Sequence, residues 1–318
     1  MSENKQKITP PMKVEASEWE MLTDLINDVA ASPTGKKLLE NAAALGYTLS
    51  TDSSIDGMGY CSAKDKRIIL SDHCSYDKLI SSLAHEARHV EQISKGAEPY
   101  YTSDVLLKDQ LVEKRLMEAD AVATSLMVCH ELRQQGNKAP MEAAQTHYEK
   151  EIAAFEKGMK KSPEEAITQA VLAWYENKNR LFKHECRVVA APASVGANFE
   201  NTTGQYKNLT AEDCLNRFCS FNGEPYFTKS ADELKTPERA GISERLKYWL
   251  TFNENLCKEH GVSQEPSIAS IPVYKDSPNL YGQVNMPPLH PNASEKIENY
   301  KKARTAQACI AAKANTGR

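Results

Sequence analysis

Apolar residues recur along this chain at two periods, and the switch between them marks out its elements. Trp19, Leu22, Leu25, Ile26 and Val29 make one stripe at helical spacing, with Ser17 and Glu20 in a capping-box arrangement at its start. Ser32-Pro33 opens a second amphipathic helix through Leu38, Leu39, Ala42 and Ala43, and Gly46 stops it. Tyr47-Thr48-Leu49-Ser50 reads as a strand. Residues 57–62 and 67–70 flank the polar turn 63–66 and predict a β-hairpin. A helix follows at once, with Ser75 as N-cap and Asp77 in its first turn. Its apolar residues Leu79, Ile80, Leu83, Ala84, Ala87 and Val90 are spread widely enough to predict burial on much of its circumference.

The pattern downstream is mostly helical. A break at 96–101 contains Pro99-Tyr100-Tyr101, and Ser103 then caps a helical run reaching Gly136. Pro140 opens a helix carrying Ile152, Ala153 and Phe155. Ser162-Pro163-Glu164-Glu165 starts the next, with Ile167, Val171, Leu172, Trp174 and Tyr175. Residues 190–209 are rich in Ala, Asn, Thr and Gly and read as a loop or linker. Thr210 and Asp213 begin a short helix, and 242–257 forms another that ends at His260-Gly261. Residues 265–292 are proline-rich and extended, and a last helix begins near Asn292. No fixed-period repeat is present. The fold class is therefore α+β, mainly helical, with a small sheet or hairpin next to the helix that follows Ser75. A boundary near 190 divides the chain into 1–190 and a loop-rich, helical region 191–318. The tail suits packing on the first part as a single domain equally well.

Composition narrows the function classes. The chain has 318 residues, 41% hydrophobic and 26% charged, with a net charge of −4. That balance gives no reason to expect nucleic-acid binding, and the locally basic tail after Lys301 reads as a solvated surface. Residues 1–16 read as a flexible arm that ends with Pro10-Pro11. They lack the apolar run of a secretory signal, and no stretch approaches a membrane span. Eight cysteines at 61, 74, 129, 186, 214, 219, 257 and 309 include no C-x-x-C pair. This scatter suits reduced thiols in a cytoplasm; export by a route without a cleaved signal stays open.

The chemistry sits in the stretch 81–92 of that apolar helix. His85-Glu86-Ala87-Arg88-His89 is an H-E-x-x-H motif, which puts two imidazoles on one helical face and a glutamate beside them. A catalytic zinc takes three protein ligands and keeps one position open. The metzincin continuation needs Gly at 92 and His at 95, where this chain has Gln92 and Lys95. That leaves a downstream carboxylate. Glu118 lies in an alanine-rich helical stretch whose small residues at 119, 121 and 123 would allow close approach; Asp120 and Glu113 are the alternatives. Arg88 should point off the metal face into a salt bridge. His184-Glu185-Cys186-Arg187 lacks a second histidine and reads as coincidence.

His85-Glu86-x-x-His89 followed by Glu118-Ala119-Asp120-Ala121 resembles the glutamate-zincin (gluzincin) arrangement of zinc metallopeptidases, near bacterial metallopeptidase families of unknown function. The resemblance covers about 35–135. It implies a zincin-like fold, Zn2+ held by His85, His89 and Glu118, and Glu86 as general base for hydrolysis of a peptide or protein amide bond. Many gluzincins place an aspartate four residues after the ligand glutamate; here that position is Val122, so the residue orienting the ligands is unassigned and Asp120 is a candidate. In zincin-like folds an edge strand beside the active-site helix commonly pairs with extended substrate, a role open to Tyr60-Cys61-Ser62 or Ile68-Ile69-Leu70. A sheet that merely covers the motif helix is the other reading. Tyr100, Tyr101, His130, His147, Tyr148, Tyr175 and His184 are candidate oxyanion donors. Two functions from other classes stand beside the peptidase: a catalytically inert zinc-binding protein, against which the intact Glu86 argues, and a helical protein-interaction protein with an accidental motif.

Overall fold

The structure is a computed structural model and describes residues 12–14, 19–55, 57–99, 101–193, 205–221, 224–259, 267–274 and 302. In chain order the elements begin with β1 (Lys13–Val14), α1 (Trp19–Ala30), α2 (Pro33–Ala44), β2 (Thr48–Thr51), β3 (Gly59–Ser62) and β4 (Arg67–Leu70). Five helices follow: α3 (Tyr76–Ser94), α4 (Leu107–Gln134), α5 (Ala139–Met159), α6 (Pro163–Trp174) and α7 (Lys178–Ala193). Then come α8 (Ala211–Phe218), β5 (Ser220–Phe221), β6 (Glu224–Pro225), α9 (Pro237–Ala240), β7 (Ile242–Ser243), α10 (Glu244–Glu259) and β8 (Val273–Tyr274). Short 3-10 turns lie at Ala231–Lys235 and Ile268–Ser270. The chain forms two compact units, each assembled from separated stretches. Met1–Pro99, Leu116–Glu176 and Cys214–Lys229 make the first; Tyr100–Arg115, Asn177–Asp213 and Ser230–Arg318 make the second.

The first unit is built on a four-stranded mixed sheet of order β1-β2-β4-β3. β1, β2 and β4 run parallel, and β3 returns antiparallel on β4 with Gly59 opposite Leu70 and Ser62 opposite Arg67. The apolar side chains of α1 (Leu22, Leu25, Ile26) and of the strands (Leu49, Ile68, Leu70) share one core with Leu79, Leu83 and Ala87 of α3. The motif helix is thus held by the hydrophobic effect along most of its circumference, and deleting a side chain such as Leu83 would cost about 2–5 kcal/mol. Its C-terminus is closed by Gly96 at φ 89°, which aims the Gly96 and Ala97 amides back at the Ile93 and Gln92 carbonyls, each at 3.0 Å. Glycine takes this left-handed cap without a Cβ penalty. A small hairpin, β5 with β6, completes the described part of this unit.

The second unit has its own apolar cluster, drawn from Leu107 and Leu111 of α4, Phe182 of α7, Leu246 and Leu250 of α10, and Ile268 and Ile271. Arg115, with Glu185 at 3.5 Å, is wholly buried beside it and donates to the Arg239 and Gly241 carbonyls at 2.6 and 2.7 Å. Glu185 also accepts from the Ser243 amide and hydroxyl, and from the Tyr274 hydroxyl. β7 and β8 pair in parallel.

The α+β, mainly helical class expected from the pattern is the one observed, with the predicted hairpin and helices in place. Ser32 caps α2 by accepting from the Gly35 amide at 2.8 Å, and Ser162 caps α6 by accepting from the Glu165 amide at 3.1 Å. Thr210 and Asp213 cap α8 reciprocally. Several expectations are corrected. Met12 is buried and Lys13–Val14 pairs with β2, so the arm expected over 1–16 ends earlier. Ser75 starts α3 in an extended conformation but its side chain makes no cap bond. α4 starts at Leu107 rather than after Ser103, because Val105 is taken into an isolated bridge with Lys207. The loop expected from 190 begins later, since α7 runs on to Ala193. The helix expected from 242 begins at Glu244, its first two residues being β7. The Ser17 cap, the Pro10-Pro11 end of the arm, His260-Gly261, Tyr100, Cys309, the helix from Asn292 and most of the 265–292 stretch lie outside the described residues. Among the described residues Cys61, Cys74, Cys129 and Cys219 are free thiols, and no helix is long and apolar enough to cross a membrane.

Candidate metal centre

His85 and His89 project from successive turns of α3 with their rings nearly perpendicular (89°) and centroids 4.7 Å apart. Their Nε2 atoms lie 3.1 Å from each other. Glu118, on α4, brings Oε2 to 3.4 Å from His85 Nε2 and Oε1 to 3.6 Å from His89 Nε2. Zinc bonds of about 2.0–2.1 Å to N and O ligands give a regular tetrahedron edges of about 3.3 Å. The three observed separations bracket that edge, so this donor set fits a divalent cation of zinc's size. All three side chains are partly exposed, which leaves one side of the triangle open to solvent.

Of the three carboxylates considered for this cluster, the structure brings Glu118 to the histidines. Asp120 is instead wholly buried against Arg88, with Oδ2 2.7 Å from Nε and Oδ1 3.2 Å from Nη2. Glu113 is buried beside Lys114 at 3.7 Å. Ala119, Ala121 and Ala123 are fully buried, in keeping with the close approach their size was expected to permit.

Glu86, one residue round the helix from His85, is buried. Burial is the main reason its carboxyl is pushed up to about 7; the Glu118 carboxylate adds to this, while His89 and the Cys61 backbone amide oppose it. β3 lies against this residue. A Cβ on Gly59 would come within 3.0 Å of the Ile69 carbonyl oxygen and 3.3 Å of Glu86 Cγ, so glycine is what lets strand and glutamate approach so closely. The neighbouring Cys61 thiol is pushed up to about 12 by burial and by Glu86, and keeps its proton. β3 is an edge strand, whereas β4 lies between β2 and β3. Residues 68–70 therefore have no free edge, and among the described residues 60–62 have no strand paired on their outer side and remain open to strand addition.

Behind the cluster stands a polar array that the sequence reading only touched. His89 Nδ1 lies 2.7 Å from Gln92 Oε1. Gln92 Nε2 donates to the Met117 carbonyl at 2.9 Å and to Asp120 Oδ2 at 2.6 Å. Arg88 does point away from the cluster into a salt bridge, with Asp120 and with Glu91, and it also donates to the Phe218 and Ser220 carbonyls. The Tyr226 hydroxyl donates to Asp120 Oδ1. Gln92 had a local signal, because it sits one turn after His89 on the same face; Tyr226 had none.

The proposed oxyanion donors are scattered. His130 packs on Phe155 and lies 3.2 Å from Arg133, Tyr175 packs on Trp174, and His147 packs on Tyr148. Tyr101 and His184 belong to the second unit. No donor is assigned from these placements. Glu185, in the half-motif at 184–187, belongs to the buried Arg115 pair, which gives that tetrapeptide a structural explanation.

No curated protein and no solved structure matches the chain. The family described as "Putative metallopeptidase family (DUF6782)" matches residues 2–227, a span that holds the three-residue cluster, Glu86 and the whole array around Arg88. The chain belongs to that metallopeptidase family, and its geometry supplies the metal-binding donor set such a family implies.

Proposed function

We propose that the chain is a zinc-dependent metallopeptidase of the zincin type, with the gluzincin ligand set His85, His89 and Glu118 and with Glu86 as general base. The observation that carries this reading is the convergence of His85, His89 and Glu118, with His85 Nε2 3.1 Å from His89 Nε2 and 3.4 Å from Glu118 Oε2, and His89 Nε2 3.6 Å from Glu118 Oε1, beside the buried Glu86. A zinc ion bound there would supply Lewis acidity toward a scissile carbonyl and lower the pKa of water toward about 7. Glu86 takes the proton of the attacking water and returns it to the leaving amine. The free outer edge of β3 at Tyr60-Cys61-Ser62 aligns an extended peptide or protein segment by backbone pairing. Residues 1–190 supply every ligand and the base, and Phe218, Ser220 and Tyr226 supply cover for the array behind His89. The free thiols among the described residues fit a cytoplasmic location.

The test is elemental analysis of the purified protein beside His85→Ala and Glu118→Ala, followed by peptidase assays on Glu86→Gln. About one zinc per chain in the wild type, lost in both ligand variants, supports the site. Glu86→Gln should keep the zinc and lose hydrolysis by about 10²–10⁴-fold. A wild-type protein that neither contains zinc nor takes it up would end this reading.

A further inference from the structure

The two histidines of the cluster are held differently, and the difference reaches far along the chain. His85 Nδ1 is buried and finds no hydrogen-bond partner among the described residues. His89 Nδ1, at 2.7 Å from Gln92 Oε1, has a partner that can only accept. The orientation of that amide is itself fixed. Gln92 Nε2 faces the Met117 carbonyl at 2.9 Å and Asp120 Oδ2 at 2.6 Å, both acceptors, so the reversed amide would set oxygen against oxygen twice. Gln92 is 0% exposed, so no water competes for these groups. His89 must therefore carry its proton on Nδ1 and turn the Nε2 lone pair toward His85 and Glu118.

What holds Gln92 is Asp120, and what holds Asp120 comes from elsewhere. Its two oxygens receive Arg88 Nε at 2.7 Å, Arg88 Nη2 at 3.2 Å, Gln92 Nε2 at 2.6 Å and the Tyr226 hydroxyl. Burial keeps the Tyr226 phenol protonated at any ordinary pH, so it stands as a permanent donor. Residues 214–229 close the rest of the cage. The Phe218 and Ser220 carbonyls accept from Arg88, the Lys95 ammonium lies 3.2 Å from the Ser220 hydroxyl, and Arg217 donates to the Gly96 carbonyl at 3.0 Å.

We propose that Tyr226, Asp120 and Gln92 form a positioning relay that presets the tautomer and orientation of His89, so that the segment 214–229 is a working part of the metal site. This rests on the zinc-site reading above. The relay occupies the orienting role that Val122 cannot fill. A second partner that fixes a ligand histidine is worth about 10–100-fold in metal affinity. A purely structural staple would cost stability when cut and leave metal affinity where it was.

The experiment has two arms. In the first, zinc affinity is measured by chelator competition on wild type, Gln92→Leu and Tyr226→Phe, with the visible spectrum of the cobalt(II)-loaded proteins and circular dichroism recorded beside it. Gln92→Leu should weaken zinc by about 10–100-fold, and Tyr226→Phe, one link further out, by about 3–10-fold. The cobalt bands should shift in both, with helix content unchanged. In the second arm, nitrogen-15 NMR of metal-free wild type reports the His89 tautomer without any variant. The relay requires the proton on Nδ1. Folded variants that bind zinc within about twofold of wild type, or a His89 ring that carries its proton on Nε2, overturn the relay. Should neither variant fold, the tautomer alone decides. Wild type that takes up no zinc overturns the site reading itself and is read separately.

Discussion

Among the described residues, each unit of this protein buries one arginine completely, and the two burials are built from similar parts. Arg88 in the first unit meets Asp120, which also accepts from the Tyr226 hydroxyl, and the carbonyls of Phe218 and Ser220; Arg115 in the second meets Glu185, which also accepts from the Tyr274 hydroxyl, and the carbonyls of Arg239 and Gly241. The differences are in geometry and in what lies beyond. The Arg88 pair is bidentate with its shorter bond at 2.7 Å, whereas Arg115 and Glu185 are 3.5 Å apart and burial raises the Glu185 carboxyl despite the arginine. Asp120 accepts from Gln92 Nε2, and Gln92 Oε1 in turn faces His89 Nδ1, while Glu185 accepts from Ser243, just before α10. The same buried chemistry serves as a staple in one unit and, through one added amide, as support for a candidate metal ligand in the other. A buried ion pair is weak evidence for stability in itself; its cost is recovered in the uniqueness of what it positions.

That contrast can be broken in four ways, from the largest effect to the smallest. Arg88→Met leaves Asp120 buried without its cation and should lower stability by about 3–5 kcal/mol in urea melts. It should also weaken zinc by up to about 10–100-fold, the loss expected for Gln92→Leu, since Gln92 loses its anchor. Arg115→Met should cost a similar 3–5 kcal/mol or somewhat less, yet leave zinc affinity by chelator competition within about twofold of wild type. Loss of zinc there would erase the distinction between the two arginines. Tyr274→Phe removes one charge-assisted hydrogen bond to Glu185 and should cost about 1.5–3 kcal/mol, with no change in the cobalt(II) spectrum. Ser162→Ala, which touches neither cage, should cost about 1 kcal/mol through the lost cap on α6 and serves as the baseline for the other three melts.

Legibility in the sequence follows the same line. The helix stripes, the serine caps at 32 and 162 and the hairpin at 59–70 were readable because each depends on residues within a turn or two of one another. His85, Glu86 and His89 were readable for that reason too, and Glu118 because small residues surround it. Arg88 was readable only halfway: its spacing put it off the metal face, but nothing local named Asp120 as its partner. Gln92 was read as a departure from another motif, since an amide in a helix carries no periodic signal of burial. Tyr226 and the carbonyls of 218 and 220 act through tertiary contacts and left no trace in the pattern. The division placed near 190 followed composition, whereas the compact units interleave, with 177–213 falling in one and 214–229 in the other.

The cage around Arg88 also has a history written into chain order. A ribosome makes Arg88 and Gln92 first, Asp120 soon after, and the carbonyls of 218 and 220 and the Tyr226 hydroxyl much later. At about 5–20 residues per second the interval between Asp120 and Tyr226 is roughly 5–20 s. For that time the nascent motif helix carries a guanidinium–carboxylate pair with no lid over it, open to water and to whatever chaperone attends the exit tunnel.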